Sequence, residues 1–151
     1  DKMKIRETLR NRSKKRMWER VTPYLHCKNV TIVPSGTGLL ISEDCNGAYH
    51  NGIIHISNDI IHISNDEFGV ALIDTLFHED RHYIQDMSSK YNNRDYSIDY
   101  YIRPWEVDAR RYAFVKTTRL LLRLRSATMN PLKKLALSIA ISKYTEYFRP
   151  W

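Results

Sequence analysis

The chain has 151 residues and a mass of 17.9 kDa, the usual size of one domain. Lys and Arg number 24 against 17 Asp and Glu, which gives a net charge of +7, while 42% of the residues are hydrophobic. This core-forming content excludes a disordered basic tail, and no apolar run reaches the roughly 18 residues that a membrane-spanning helix needs. We therefore expect a single folded domain over residues 1–151.

The cysteine content bears on the compartment. Cys27 and Cys45 form no CxxC motif and are too few for a disulfide framework, so we expect ordinary thiols, with one bridge between them as the alternative. The first residues lead into a charged segment rather than a signal peptide, which predicts a cytoplasmic protein. Because the sequence begins at Asp1 rather than Met, removal of a leader before this point is the alternative.

The segment 1–20 is strongly basic and predicts an amphipathic helix with Ile5, Leu9 and Trp18 facing inward. Its basic side chains would form a solvated face or contact an acidic partner. Next, Asn29 to Ser42 is rich in β-branched residues and interrupted by proline and glycine, which predicts two short strands around a turn.

The heptapeptide IIHISND then occurs twice in succession between Gly52 and Asp66. Since side chains alternate along a strand, a shift of an odd number of residues would put the two copies on opposite faces of one continuous strand. A hairpin avoids this conflict. We therefore predict strands at Ile53–Ser57 and Ile60–Ser64, joined by a turn at Asn58-Asp59.

From Asp66 onward the apolar residues recur at helical spacing, and this helix should end near Ser88 or Ser89. After a polar, tyrosine-rich loop, a second long helix is predicted from about Pro104, and a third begins with Asn130 as N-cap and Pro131 in its first turn. The predicted fold class is α+β: an N-terminal helix, a small antiparallel sheet with a hairpin, and three long helices.

The first of these long helices contains His78-Glu79-Asp80-Arg81-His82, a match to the H-E-x-x-H motif. Residues four apart lie on one helix face, so both imidazoles can reach one metal ion at about 2.0–2.1 Å. Glu79 is turned about 100° around the helix axis from His78, which places its carboxylate beside the ion rather than on it. The alternative interpretation is charge pairing on a surface helix.

Catalytic zinc normally takes three protein ligands, so the motif needs one more. The four other histidines all precede it, and the positions at which an extended motif would require Gly and His hold Gln85 and Ser88. The third ligand should therefore be a carboxylate. We choose Glu106, because Ala109 and Ala113 share its helix face and allow close packing against the motif helix; the candidates were Asp86, Asp95, Asp99, Glu106, Asp108 and Glu146.

His78-Glu79-x-x-His82 followed by Glu106 in the sequence RPWEVDA resembles a minimal gluzincin metallopeptidase, and is similar to the small ImmA/IrrE-like peptidases and related phage and bacterial proteins. The resemblance covers about residues 50–115. It implies a zincin-like fold with Zn²⁺ bound by His78, His82 and Glu106, and with Glu79 as the general base that activates the zinc-bound water for peptide hydrolysis. It also implies an edge strand that receives the peptide or protein substrate, for which we choose the hairpin at Ile53–Ser64.

Two further roles are left open by the residues themselves. Asp74 and Asp86, one turn before and after the histidines, are candidates to orient the imidazoles. The donor that stabilises the developing oxyanion should come from the region of the expected site mouth, where the candidates are Tyr91, Tyr96, Tyr100, Tyr101, Arg103 and Arg110.

The competing class is a binding protein. The basic N-terminal helix and the arginines of the second long helix would then contact nucleic acid or an acidic protein, and any metal site would be non-catalytic. No helix-turn-helix, zinc-finger spacing or RNA-binding aromatic signature accompanies the charge. A peptidase whose basic face recruits an acidic or DNA-bound substrate combines the two hypotheses.

Overall fold

The computed structural model describes residues 12–34, 46–61 and 68–150. Within them the fold is α+β, as predicted. The helices are α1 (Arg12–Val21), α2 (Asn58–Ile61), α3 (Val70–Ser88), α4 (Pro104–Ala127) and α5 (Pro131–Tyr147); the strands are β1 (Val30–Val33), β2 (Gly47–His50) and β3 (Ile53–Ser57). Two short 3-10 helices, Thr22–Tyr24 and Tyr100–Ile102, precede β1 and α4.

The sheet has the order β1-β3-β2, so the third of these described strands in chain order lies in the middle. β2 is antiparallel to β3, with Tyr49 beside Ile54, but β1 is parallel to β3, with Val30 beside the same Ile54. The predicted antiparallel sheet is therefore correct for one pairing and wrong for the other. The reason is topological. The chain between β1 and β3 includes β2, and a connection of this length permits a parallel pairing, whereas a two-residue turn joins only antiparallel strands.

The hairpin is formed one strand earlier than predicted. Its turn is Asn51-Gly52, where both residues have positive φ, 48° and 79°. This is the backbone that a two-residue type I′ turn requires, and Asn-Gly is its strongest sequence signal. The prediction of a turn at Asn58-Asp59 is thus wrong, because the stronger turn signal joins β2 to β3.

The second copy of the heptapeptide does not begin as a strand. Ser57 ends β3, and its Oγ accepts a hydrogen bond from the Asp59 N–H at 3.2 Å, which starts the short helix α2 over Asn58–Ile61. A serine followed by Asn and Asp favours a helix start, and this local capping outweighs the strand preference of the isoleucines. The rest of the predicted strand, residues 62–64, lies outside the described residues, as do Ile5, Leu9, Cys45 and the second strand predicted before Ser42.

The core lies between the sheet and α3. Ile54 and Ile56 of the central strand are fully buried, as are Ile73 and Leu76 of α3. Each such side chain contributes about 1.5–3 kcal/mol when it leaves water. On its other side α3 packs against α4, and α4 packs in turn against α5 through buried residues that include Leu137, Ile141 and Tyr144.

The helix ends follow their capping residues. α3 begins at Val70 rather than near Asp66, after Gly69 in the left-handed conformation at φ 65°, and it ends at Ser88 as predicted. Asn130 caps α5 by accepting hydrogen bonds from the N–H groups of Leu132 and Lys133, also as predicted. In α1, Met17 and Val21 are buried and Trp18 is partly buried. None of the described helices is both long and apolar enough to cross a membrane.

Candidate functional site

His78 and His82 lie on successive turns of α3 and point at a common position. Their ring centroids are 4.9 Å apart and their Nε2 atoms 3.2 Å apart. The spacing of four residues is thus sufficient to bring both nitrogens together, as the motif predicts.

Glu106 completes a triangle with these two nitrogens. Its Oε2 atom lies 3.0 Å from His78 Nε2 and 3.3 Å from His82 Nε2. Ala109 and Ala113 follow on the same face of α4 and have no exposed surface, so the two helices approach closely at the point where Glu106 enters. Tetrahedral bonds of about 2.0–2.1 Å would separate ligand atoms by about 3.3 Å, so the three edges fit a zinc ion that keeps a fourth position open.

Glu79 stands beside this triangle. Its carboxylate lies within 4.8 Å of the ring nitrogens of both histidines, and the residue is 7% exposed. Burial raises the pKa of Glu79, against the opposing effect of the two imidazoles and of a backbone hydrogen bond from Tyr49. Of the two carboxylates, Glu106 is the one within 3.3 Å of both Nε2 atoms, whereas Glu79 belongs with His78 and His82 to a group whose ligand atoms lie within 4.8 Å of one another and could hold a metal ion.

The Glu106 carboxylate and the His82 imidazole of the triangle shift each other's pKa values. Burial by itself would raise the pKa of Glu106, but hydrogen bonds from His78 and His82 hold it well below its usual range. Burial likewise opposes charge on His82, yet contact with Glu106 and the charge of Glu79 raise its pKa. The negative charge at this point therefore favours a cation between the three side chains.

Gln85 fixes the orientation of His82. Its Oε1 lies 2.9 Å from His82 Nδ1, while its Nε2 donates to the Trp105 carbonyl and to Asp108 Oδ2, both at 2.9 Å. Because a carbonyl and a carboxylate are both acceptors, the amide can face only one way. Oε1 therefore accepts the proton of Nδ1, so Nε2 is the nitrogen that faces Glu106 and that would offer a lone pair to a metal ion when the imidazole is neutral.

The two aspartates that were candidates to orient the imidazoles both accept hydrogen bonds from tyrosines. Asp74 Oδ1 accepts from the Tyr144 hydroxyl at 2.6 Å, and Asp86 Oδ2 accepts from the Tyr49 hydroxyl at 2.7 Å. Sequence reasoning missed Gln85, although its position three residues after His82 on a helix is a signal for side-chain contact.

Asp108 anchors Gln85 from α4. It accepts from Nε and Nη2 of Arg81 at 2.9 and 3.2 Å, and Lys90 lies 3.7 Å away. Although burial acts to raise it, the pKa of Asp108 is lowered by the Arg81 and Gln85 hydrogen bonds. The chain of contacts Arg81, Asp108, Gln85 and His82 thus joins α3 and α4 on the far side of the histidine from Glu106.

Among the candidates for an oxyanion donor, Tyr100 is the one whose pKa responds to the triangle. Burial, the largest cause, and the nearby carboxylates of Glu106 and Glu79 raise the pKa of Tyr100 strongly. Arg103 and Arg110 lie against the Tyr100 ring at 5.8 and 5.9 Å, and Arg110 Nη2 donates to the Tyr101 carbonyl. Of the other tyrosine candidates, Tyr91 and Tyr96 pack on the Trp105 ring, and Tyr101 is 74% exposed.

The strand beside the site is β2. The N–H of Ile54 donates to the Asn29 carbonyl on the β1 side, so its antiparallel partner Tyr49 directs its own N–H away from β3. On this side of the strand the Tyr49 backbone interacts with the Glu79 carboxylate and opposes the rise in the pKa of Glu79. The substrate edge was predicted in the hairpin Ile53–Ser64, but its strand Ile53–Ser57 is paired on both sides, and the edge next to the motif helix belongs to Gly47–His50.

Comparisons of the chain with family models, with curated proteins and with solved structures found no match.

Proposed function

We propose that this protein is a zinc metallopeptidase of the minimal gluzincin kind, with His78, His82 and Glu106 as ligands and Glu79 as general base. The observation that carries the proposal is the triangle of donor atoms with edges of 3.0, 3.2 and 3.3 Å. Two nitrogens and one carboxylate oxygen are the donor set of catalytic zinc in His₂Glu sites.

The three donors favour zinc over harder cations. Imidazole nitrogens suit zinc and other late transition metals, whereas Ca²⁺ and Mg²⁺ prefer sites built from oxygen. Bound here, zinc would supply the Lewis acidity that polarises a peptide carbonyl and acidifies a water molecule.

Glu79 would move the proton. Its burial beside the histidines raises its pKa, which favours uptake of a proton from the attacking water and its later delivery to the leaving amine. The Tyr100 hydroxyl, at the opposite carboxylate, would donate to the oxygen of the scissile carbonyl as negative charge develops.

An extended peptide would pair with the outer edge of β2. This strand is at the end of the sheet, and its main chain at Tyr49 adjoins Glu79. Main-chain hydrogen bonds of this kind supply affinity without demanding a particular sequence. The substrate class that follows is an unfolded segment or flexible loop of a protein.

The metal is the first point to test. Protein purified without a nickel column should carry about one zinc per chain by mass spectrometry, as the His₂Glu ligand set implies. A His78→Ala/His82→Ala variant should lose it, whereas a His50→Ala/His55→Ala variant, which removes two histidines of the sheet, should keep it. No zinc after dialysis against zinc, or equal zinc in both double variants, would contradict the proposed site.

Hydrolysis is the second point. The zinc-loaded protein should cleave members of a quenched fluorescent peptide library, and cleavage should stop with a chelator and return with zinc. Zinc that binds stoichiometrically without any cleavage of peptides or unfolded proteins would leave the site as a metal centre of another kind and reject the peptidase.

A further inference from the structure

A second recess lies away from the metal triangle, between α1, the end of α4 and the start of α5. It is a groove of about 1120 Å³, larger than the roughly 300–1,000 Å³ typical of small-molecule pockets. Along α4, Arg123 in its wall is about 25 Å from Glu106, given the helical rise per residue. The groove is therefore separate from the proposed active site.

The floor of the groove is apolar and continuous with the core. Its lining includes the hydrophobic residues Met17, Phe68, Leu120, Leu124 and Leu137. At its rim, Met129 and Leu132 are 94% and 78% exposed. Exposed methionine and leucine beside an apolar groove are typical of a surface that packs against a partner helix.

The rim is also positively charged on every wall. Arg16 and Arg20 lie one turn apart on α1, Arg123 lies on α4 and Lys133 on α5. Among the described residues, no acidic side chain lines the groove and none of these four cations is in an ion pair. An unpaired cation on each side of an apolar floor is complementary to a ligand that is apolar in the middle and anionic along both flanks.

We propose that this groove, termed the cationic groove, binds an amphipathic helix of a partner protein that carries acidic residues on both sides of its apolar stripe. The division of the cations among three helices argues against a single-headed lipid, whose one anionic group would meet only one wall. Duplex nucleic acid would engage the cations but leave the apolar floor exposed, because a phosphate backbone has no apolar side to bury.

The test uses the full chain and a labelled synthetic peptide of about 18 residues, with leucine at the i, i+3, i+4 and i+7 spacing of a groove-binding helix and glutamate on the flanks. Two peptides serve as controls: one with lysine for every glutamate, and one of identical composition without an apolar face. By fluorescence anisotropy, the acidic amphipathic peptide should bind at least about tenfold more tightly than either control, a difference worth about 1.4 kcal/mol.

Charge reversal locates the contact. Arg20→Glu/Arg123→Glu should weaken binding of the acidic peptide at least tenfold and strengthen binding of the lysine peptide. The control Arg20→Glu/Arg119→Glu changes the net charge by the same amount. It keeps Arg123 in the groove and mutates Arg119 instead, which lies one turn away on α4 and outside the lining, so it should weaken binding distinctly less. Because all three arginines are exposed, these variants should keep the circular dichroism and melting temperature of the parent chain.

The apolar part of the rim is tested separately with Met129→Ser/Leu132→Ser, which should weaken binding of the acidic amphipathic peptide but not binding of a polyglutamate. Absence of binding by the acidic peptide, equal binding of the two glutamate-containing peptides, or equal effects of the two arginine pairs would overturn the proposal. So would tighter binding of duplex DNA that depends on the same arginines. None of these results depends on zinc or on peptide hydrolysis.

Discussion

The side-chain amide of Gln85 holds His82 in a single tautomer. Its oxygen lies 2.9 Å from His82 Nδ1, and its nitrogen is committed to two acceptors, the Trp105 carbonyl and Asp108. The amide therefore cannot turn over to offer a donor to the ring. A metal ligand must present a lone pair, and for His82, as the proposed ligand, the nitrogen that presents it is determined by a residue outside the H-E-x-x-H motif.

Gln85→Leu should lower the zinc affinity by about 10–100-fold, because the imidazole loses the acceptor that orients it. Competition with a chromophoric chelator measures the change. The matched control is Asp86→Asn, which alters a bond to Tyr49 but not to the histidine, and should leave zinc affinity unchanged. An unchanged affinity in Gln85→Leu would show that packing alone orients His82.

Glu79→Gln and Glu106→Gln should separate the two carboxylates of the site. Glu79→Gln should retain zinc and lose hydrolysis, since the three donors remain while the base is gone. Glu106→Gln should weaken zinc binding by more than about 100-fold, a larger loss than outer contacts produce. An active Glu79→Gln protein would refute the mechanism, and full zinc affinity in Glu106→Gln would assign the third ligand to another carboxylate.

Tyr100→Phe should lower kcat by about 10²–10³ with zinc content unchanged, because the Tyr100 hydroxyl near Glu106 is the proposed donor to the developing oxyanion. Tyr101→Phe removes the neighbouring hydroxyl from a side chain that is 74% exposed, and serves as the control. Steady-state kinetics on one peptide substrate distinguish the two. Equal kcat values for both variants would remove Tyr100 from the mechanism.

Substitution by alanine should lower the free energy of unfolding at both Gly47 and Gly52, but for two different physical reasons. A Cβ at Gly47 would lie 2.6 Å from Thr75 Cγ2, so Gly47→Ala should destabilise the fold by about 1–3 kcal/mol through overpacking between β2 and α3. At Gly52 nothing lies within 4 Å, and Gly52→Ala should cost only about 1–2 kcal/mol of backbone strain at its positive φ.

Denaturant titration of a double variant tells these causes apart. Adding Thr75→Ser, which removes the Cγ2 methyl, should restore part of the stability lost in Gly47→Ala and none of that lost in Gly52→Ala. The reverse pattern would show that β2 does not approach α3 as closely as the structure indicates.

Cys27 should react slowly with thiol reagents near neutral pH. Burial raises the pKa of its thiol, and its Sγ donates to the Gly52 carbonyl at 3.3 Å. Since the thiolate is the reactive form, a raised pKa means less thiolate at any pH below it, and the rate should keep rising above pH 9. In a Cys45→Ser variant, alkylation of the native chain at about pH 8 should be far slower than in denaturant. Equal rates would place the thiol at the surface.

Several parts of this protein follow from contacts that are local in sequence. The alignment of His78 with His82, the start of α4 at Pro104 and the Asn130 cap of α5 depend on residues at most four apart. Such contacts are determined by helix geometry alone, which is why sequence reasoning predicted them. The Asn51-Gly52 turn was equally local; its signal was present in the sequence, but the repeat that follows it was more conspicuous.

The tertiary structure decided the contacts between residues distant in the chain. These include the parallel pairing of β1 with β3, the choice of β2 as the edge beside Glu79, and the link from Asp108 through Gln85 to His82. Glu106 was predicted only in part. The small residues Ala109 and Ala113 indicated that its helix packs closely against the motif helix, but the distances from Glu106 to the two histidines depend on the tertiary structure. Each of these contacts depends on how whole elements pack, because burying the shared core fixes their relative positions and no short stretch of sequence specifies them.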